Sequence, residues 1–224
     1  MDDGQIASAG GRVETDVIAL YQFKQGTGTV AYDTSTVEPQ LNLNLFGDHE
    51  WVGSWGVTFS DGGKAQSSSG SEKLHDLIKL TGEYSVEAWV IPGNVAQEDS
   101  RIVTYSGNSQ DRNFALVQTL YDYEFYSRTS NSDAGGAPLI NTPSMDEVLQ
   151  ATLQHVVVTY DSIEGRRVYV NGELIVEDAE GGDLNGWDPA YVLAVGNEVG
   201  EATNKINQFT ITNIPQGIFE NIEL

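Results

Sequence analysis

The chain has 224 residues, of which 39% are hydrophobic and 20% charged, as is typical of one large globular domain or two small ones. Eleven Lys and Arg against 33 Asp and Glu give a net charge of -22, which repels phosphate backbones and argues against nucleic-acid binding. The absence of cysteine excludes disulfides, thiolate metal sites and a cysteine nucleophile. No apolar run reaches the length of a membrane span.

The first fifteen residues carry Gly, Ala and Ser with little apolar content, which predicts a flexible lead-in. We expect a single ordered domain over residues 16–224. Met1-Asp2-Asp3 is acidic where a signal peptide would be basic. We therefore expect that a leader has been removed or that the chain is an excised piece of a larger exported protein.

Alternation of apolar and polar residues predicts strands at residues 17–23, 30–33, 41–45 and 51–59. Further strands are predicted at residues 84–92, 101–105, 113–119 and 121–129. Leu74, Leu77 and Ile78 have helical spacing after Ser71-Glu72, which predicts one short surface helix. A capping box formed by Ser144 and Glu147 predicts a second helix.

The predicted fold is built around the strand pattern of residues 153–176. Val156, Val158 and Tyr160 alternate in one run, and residues 168–170 continue the alternation in the next. Asn171-Gly172 then predicts a type I′ turn, because Asn and Gly tolerate positive φ at both central positions. About a dozen short strands with turns every eight to twelve residues predict an all-β fold, an antiparallel β-sandwich or jelly roll.

Seven motifs occur in order along the chain, among them YSVEAWVIP at 84–92, QHVVVTYD at 154–161 and GGDLNGWDPAYVLAVGNE at 181–198. Together they resemble the motifs of a laminin-G-like domain of the concanavalin A-like lectin/glucanase superfamily, of the type in bacterial surface and exported proteins. The resemblance covers about residues 17–198. It implies a jelly roll that is usually non-catalytic, binds glycans or protein partners and often holds a structural calcium. The usual closing motif is missing after residue 198, so strands at 207–212 and 217–224 are expected instead, and the edge beside residues 17–23 is left in question.

Calcium is the metal that the sequence favours. Asp183, Asn185 and Asp188 offer hard oxygens at spacings i, i+2 and i+5 in a glycine-rich loop, and Asp33 and Glu198 lie on other family-like loops. The alternative is that these residues serve ordinary turns. We hypothesise one structural Ca²⁺.

Three aromatic residues are candidate ligand contacts. Trp187 lies in an exposed-looking loop, and Tyr123 and Tyr126 belong to a run expected to line one face of a sheet. Core packing is the alternative for all three.

The sequence lacks the carboxylate pattern of the glucanases and the Gly-x-Ser-x-Gly elbow of hydrolases. Its three histidines, His49, His75 and His155, are isolated, and His155 is expected to pack within a strand. We therefore predict a non-enzymatic recognition or adhesion module, extracellular or at the cell surface, that binds a glycan or a cell-surface protein. The alternatives are a structural spacer and a glucanase- or lyase-like enzyme.

Overall fold

The computed structural model describes residues 16–198 and the backbone of residues 209–212. The predicted lead-in and the strand predicted at 217–224 lie outside these residues. In the described part of the chain, none of the helical structure is long and apolar enough to cross a membrane. Nearly all the regular structure is antiparallel strand, with one α-helix.

In chain order the strands are β1 (Val30–Ala31), β2 (Leu43–Phe46), β3 (His49–Val52), β4 (Gly56–Phe59), β5 (Lys64–Ser67), β6 (Glu83–Pro92), β7 (Ser100–Asn108), β8 (Asp111–Thr119), β9 (Asp122–Ser127), β10 (Ile140–Asn141), β11 (Gln154–Asp161), β12 (Gly165–Val170), β13 (Glu173–Asp178), β14 (Val192–Val195) and β15 (Phe209–Thr212). One sheet has the order β1-β2-β5-β14-β7-β8-β9-β10, and the other has the order β13-β12-β11-β6-β15-β4-β3.

The two sheets pack face to face around an aromatic core. Tyr84 of β6 contacts Phe114 of β8 at 5.4 Å between ring centroids, and its hydroxyl donates to Ser127 Oγ of β9 at 2.7 Å. Burial of large apolar side chains from both inner faces is the main force that holds such layers together. The predicted β-sandwich is confirmed.

The stretch 153–176 folds as predicted. Val156 pairs with Val170 and Val158 with Val168, and all four side chains are buried. Asn171 has φ +53° and Gly172 φ +82°, as a type I′ turn requires. Because β11 also pairs with β6 along its whole length, this hairpin is tied to the centre of its sheet.

The first predicted helix is present as α1 (Glu72–Thr81). The Ser71 hydroxyl accepts a hydrogen bond from the Leu74 amide at 3.2 Å, which caps the first turn. Gly82 ends the helix with φ +77°, and its amide donates to the Ile78 carbonyl. Leu74 and Ile78 are buried under the helix, as their spacing predicts.

The second predicted helix is wrong, because only one 3-10 turn forms at Ser144–Asp146. The Ser144 hydroxyl donates to Asp122 Oδ2 at 2.5 Å instead of capping a helix. Glu147 adopts a left-handed conformation with φ +46°, which ends the turn.

Of two strands predicted towards the termini, the first is wrong and the second is confirmed. Residues 17–23 form no regular strand, because Tyr21 makes only an isolated bridge with Asp33, and the Leu20 amide donates to the Asp33 carboxylate. At the other end, β15 confirms a strand within 207–212. It lies between β4 and β6, so it completes the middle of the seven-stranded sheet.

Candidate functional site

Two loops meet at one end of the sandwich. We call residues 128–138, between β9 and β10, and residues 179–191, between β13 and β14, the loop rim. The Ser130 amide donates to the Asp183 carbonyl at 2.9 Å, and the Asp183 amide donates to Ser130 Oγ at 3.1 Å. Asn131 Nδ2 donates to the Gly181 carbonyl at 3.1 Å. These bonds hold the two loops as one surface.

Trp187 anchors the second loop in the core. Its side chain is only 4% exposed, and its indole Nε1 donates to the Arg128 carbonyl at 2.7 Å. Its ring contacts Tyr84 at 5.2 Å and Tyr105 at 5.9 Å between centroids. The expectation of an exposed Trp187 is wrong, because the indole finds both apolar contacts and a hydrogen-bond acceptor inside the protein. Trp187 therefore positions the loop and offers no surface for a ligand to stack on.

The acidic residues of this loop close local turns. Asp183 Oδ1 accepts from the Asn185 amide at 2.9 Å, and Asp188 Oδ1 accepts from the Ala190 amide at 2.8 Å. The Asp188 backbone forms two hydrogen bonds with the Asn113 side chain, each 2.9 Å long. The turn alternative thus describes their local geometry, and the Asp183 and Asn185 side chains remain exposed.

Calcium binding remains a prediction. Within residues 16–198, no group of three or more His, Asp or Glu side chains is placed to hold a metal ion. The loop rim does carry the exposed oxygens of Asp183 and Asn185, which are of the type that Ca²⁺ prefers.

Asp33 is buried away from this loop and neutralised by the protein itself. Lys73 Nζ lies 2.7 Å from Asp33 Oδ2 and 2.8 Å from the Val37 carbonyl. Burial alone would raise the pKa of Asp33. The Lys73 ammonium and backbone amides such as those of Leu41 and Leu20 outweigh burial and lower this pKa below its usual value. Asp33 thus binds a lysine ammonium where the sequence predicted a metal.

Glu198 is also buried, between two guanidinium groups. Arg112 Nε lies 2.7 Å from Glu198 Oε1, and Arg101 Nε lies 3.2 Å from Glu198 Oε2. The Arg112 guanidinium lies 4.9 Å over the ring of Tyr126. The structure therefore joins two predicted site residues, Tyr126 and Glu198, through an arginine that the sequence did not single out. The signal available was a charged residue directly before the predicted strand 113–119.

Tyr123 and Tyr126 point to opposite faces of β9, so the expectation that they line one face is wrong. Side chains alternate along a strand, and positions 123 and 126 differ by an odd number. Tyr123 is fully buried in the core, and its hydroxyl donates to Gln154 Oε1 at 2.8 Å. Tyr126 lies on the outer face, and its hydroxyl donates to Glu124 Oε2 at 3.1 Å.

A small polar cavity of about 10 Å³ opens beneath the loop rim, with room for roughly one water molecule. Its lining is mostly hydroxyl, amide and charged side chains, from Ser127, Thr129, Asn131, Ser132, Pro138, Arg166 and Glu180. Arg166 is held in place by Asp178 Oδ2 at 2.6 Å and by the Pro138 carbonyl at 2.7 Å. These residues were not predicted from the sequence, although the polar run 130–136 after the predicted strand 121–129 indicates a loop.

The floor of the loop rim contains a buried phenol. The Tyr160 hydroxyl donates to the Gly182 carbonyl at 2.6 Å. Burial, followed by the charge of Asp183, raises the pKa of Tyr160 to about 12. The hydroxyl therefore stays protonated at neutral pH and acts as a fixed donor to the loop.

A laminin G family model described as concanavalin A-like lectin/glucanases superfamily matches residues 61–213. The chain belongs to this laminin G-like family. The match includes β15, so the unusual C-terminal strand lies within the laminin G-like region. A search among curated proteins found no significant match.

Solved structures share the laminin G-like fold at low sequence identity. The receptor-binding domain of botulinum neurotoxin C/D mosaic serotype is 16% identical with a TM-score of 0.62, over 90% of this chain and 48% of that one. The binding domain of botulinum neurotoxin DC in complex with rat synaptotagmin II is 15% identical with a TM-score of 0.59, over 89% and 48%. A structure of botulinum neurotoxin type C, whose cell entry depends on two ganglioside molecules, is 14% identical with a TM-score of 0.60, over 89% and 48%. The chain spans about half the length of these neighbours.

Proposed function

We propose that this laminin G-like domain is a non-catalytic recognition module that binds a glycan or a protein partner through the loop rim, outside the cell or at its surface. One observation carries the proposal: the loop backbones are fixed from below by Trp187, while the Asp183 and Asn185 side chains remain exposed above them. Polar groups held in place before binding lose little conformational entropy when a ligand arrives.

The structural neighbours support a binding role. Two of them are binding domains of neurotoxins, one in complex with a synaptotagmin, and the third comes from a toxin that depends on gangliosides. A shared fold does not define a ligand, so a binding role for this chain is proposed here on the basis of the loop rim as well.

The loop rim carries exposed negative charge, which bears on the charge of the ligand that it can bind. Asp133, Glu180 and Asp183 are exposed carboxylates on it. They favour a neutral or cationic ligand over an anionic one. We also propose the structural Ca²⁺ expected from the sequence, because the exposed oxygens of Asp183 and Asn185 are of the type that Ca²⁺ prefers.

The test is a glycan-array scan of the whole chain with Ca²⁺ and then with chelator, followed by two variants. Asp183→Asn keeps an oxygen that accepts from the Asn185 amide, and Asn185→Ala removes an exposed amide. We expect each to weaken binding at least about fivefold. Asp146→Asn, an exposed carboxylate outside the loop rim, serves as the matched control.

Binding that survives both loop variants would contradict the site, and release of reducing ends or unsaturated sugars would contradict the non-catalytic assignment. A folded chain that binds no glycan and no surface protein would favour a spacer.

A further inference from the structure

Three large apolar side chains are exposed at the opposite end of the sandwich. Leu120 is 42% exposed, Tyr121 37% and Met145 96%. We call these three residues the distal patch. Within β8, Asn113 contacts the loop rim and Thr119 directly precedes the patch, so most of the length of this strand separates the two surfaces.

The distal patch is held in a fixed shape. The Leu120 amide donates to the Gln97 carbonyl at 2.6 Å, and Leu120 has φ +54°. The loop that carries Met145 is attached on both sides: the Ser144 hydroxyl bonds Asp122 Oδ2 at 2.5 Å, and the Leu149 amide donates to the Tyr121 carbonyl at 3.0 Å. Met145 is thus kept close to the β8–β9 turn, and an exposed apolar group fixed in this way is typical of an interaction site.

A buried carboxylate next to the patch lacks a partner. Asp122 is 8% exposed, and its Oδ1 atom is inaccessible to solvent and accepts no hydrogen bond among the described residues. Buried polar atoms are nearly always paired, because leaving one unpaired costs free energy. Because Oδ1 is closed off from solvent, Asp122 can attract a docking cation only through its charge and not by a direct hydrogen bond.

The surroundings of the patch are acidic. Glu98, Asp146 and Glu147 are exposed around it. Burial, with the charges of Asp99 and Asp122 added, raises the pKa of Glu124, although hydrogen bonds from Tyr126 and Thr119 oppose the rise. A positive group docking here would relieve this repulsion between carboxylates.

We propose that the distal patch docks a basic segment of a partner protein, in which an apolar side chain packs on Leu120, Tyr121 and Met145 while a Lys or Arg pairs with the exposed carboxylates of Asp146 and Glu147. The acidic surroundings repel an anionic membrane and a second copy of the same patch. The site is separate from the loop rim and does not rest on the function proposed for it. The domain would then bind two partners at once, one at each end.

The experiment uses two sets of fluorescein-labelled peptides of equal length. In one set a central Leu-Phe pair is flanked by Lys and Arg, and in the other by Glu. Fluorescence anisotropy with the whole chain should show binding of basic peptides only, and that binding should weaken as salt is added. Met145→Glu should weaken it about tenfold or more, and Glu147→Gln should weaken it and reduce its dependence on salt.

The control is Ile163→Glu, which alters a side chain that is 87% exposed in the loop joining β11 and β12, and it should leave peptide binding unchanged. Met145 is almost fully exposed, so its replacement should not affect folding, and circular dichroism of each variant checks this. Equal binding by all variants, or binding of neither peptide set, would overturn the proposal. So would association with lipid vesicles or self-association in sedimentation that Met145→Glu abolishes, because these would identify a membrane or a second copy as the occupant.

Discussion

The carboxylate of Glu198 balances two buried guanidinium groups, those of Arg101 and Arg112. Burial opposes the charged form of Arg112, but the hydrogen bonds and charge of Glu198 outweigh it and raise the pKa of this arginine. Removing the Glu198 carboxylate would leave Arg112 without its paired anion and Arg101 with only the more exposed Asp99, in a place that excludes water.

We therefore predict that Glu198→Gln lowers the free energy of unfolding by about 3–5 kcal/mol, measured by urea titration. Glu177→Gln is the control, since Glu177 pairs with Arg167 at the surface, where solvent screens the interaction. The urea concentration at the unfolding midpoint of Glu177→Gln should be almost the same as that of the parent chain. Equal effects of the two substitutions would show that the buried cluster is not held by Glu198.

The ion pair of Asp33 with Lys73 makes the stability of the fold sensitive to acid. Its pKa is lowered in the folded chain, so its ionised form stabilises the fold above the unfolded-state pKa of about 3.9, and this contribution is lost as the pH falls through the lower folded-state value. We predict that Asp33→Asn is less stable at neutral pH and that its stability changes less than that of the parent chain below about pH 4. Thermal unfolding across this pH range measures both. Parallel profiles would mean that the Lys73 pair contributes little.

The connection between β13 and β14 forms one half of the loop rim, and the Trp187 indole nitrogen is one of the donors that attach it to the neighbouring loop. Trp187→Phe keeps an aromatic ring but removes the donor to the buried Arg128 carbonyl. An unpaired buried carbonyl costs about 1–3 kcal/mol. We predict a stability loss of this size and faster amide exchange confined to residues 179–191 and 128–138. Exchange that rises uniformly through the sheets would contradict a local anchoring role.

At the scale of the whole molecule, 33 Asp and Glu against 11 Lys and Arg give a net charge of -22, which attracts cations. We predict that millimolar Ca²⁺ raises the melting temperature more than NaCl of equal ionic strength does, and that Asp183→Asn removes the excess. A melting temperature that is the same in Ca²⁺ and in chelator would disprove the structural calcium hypothesis.

Local patterns in the sequence determined the hairpin of 153–176, the helix α1 and the class of fold. Val156 and Val158 alternate because one face of β11 is buried, Asn171-Gly172 tolerates positive φ, and Ser71 caps a turn of its own helix. Each of these signals depends on residues close together in the chain, so the sequence displays it directly.

Tertiary structure alone decided which polar groups are buried together. Glu198 meets Arg101 and Arg112 across 97 and 86 residues, Lys73 reaches Asp33, and Trp187 turns inward to the Arg128 carbonyl. Ser144 shows the same effect. Its hydroxyl, which the sequence predicted to cap a helix, donates to the Asp122 carboxylate of β9 instead. Contacts between distant residues depend on how the two sheets and their loops are placed, and residue spacing along one strand carries no information about that placement.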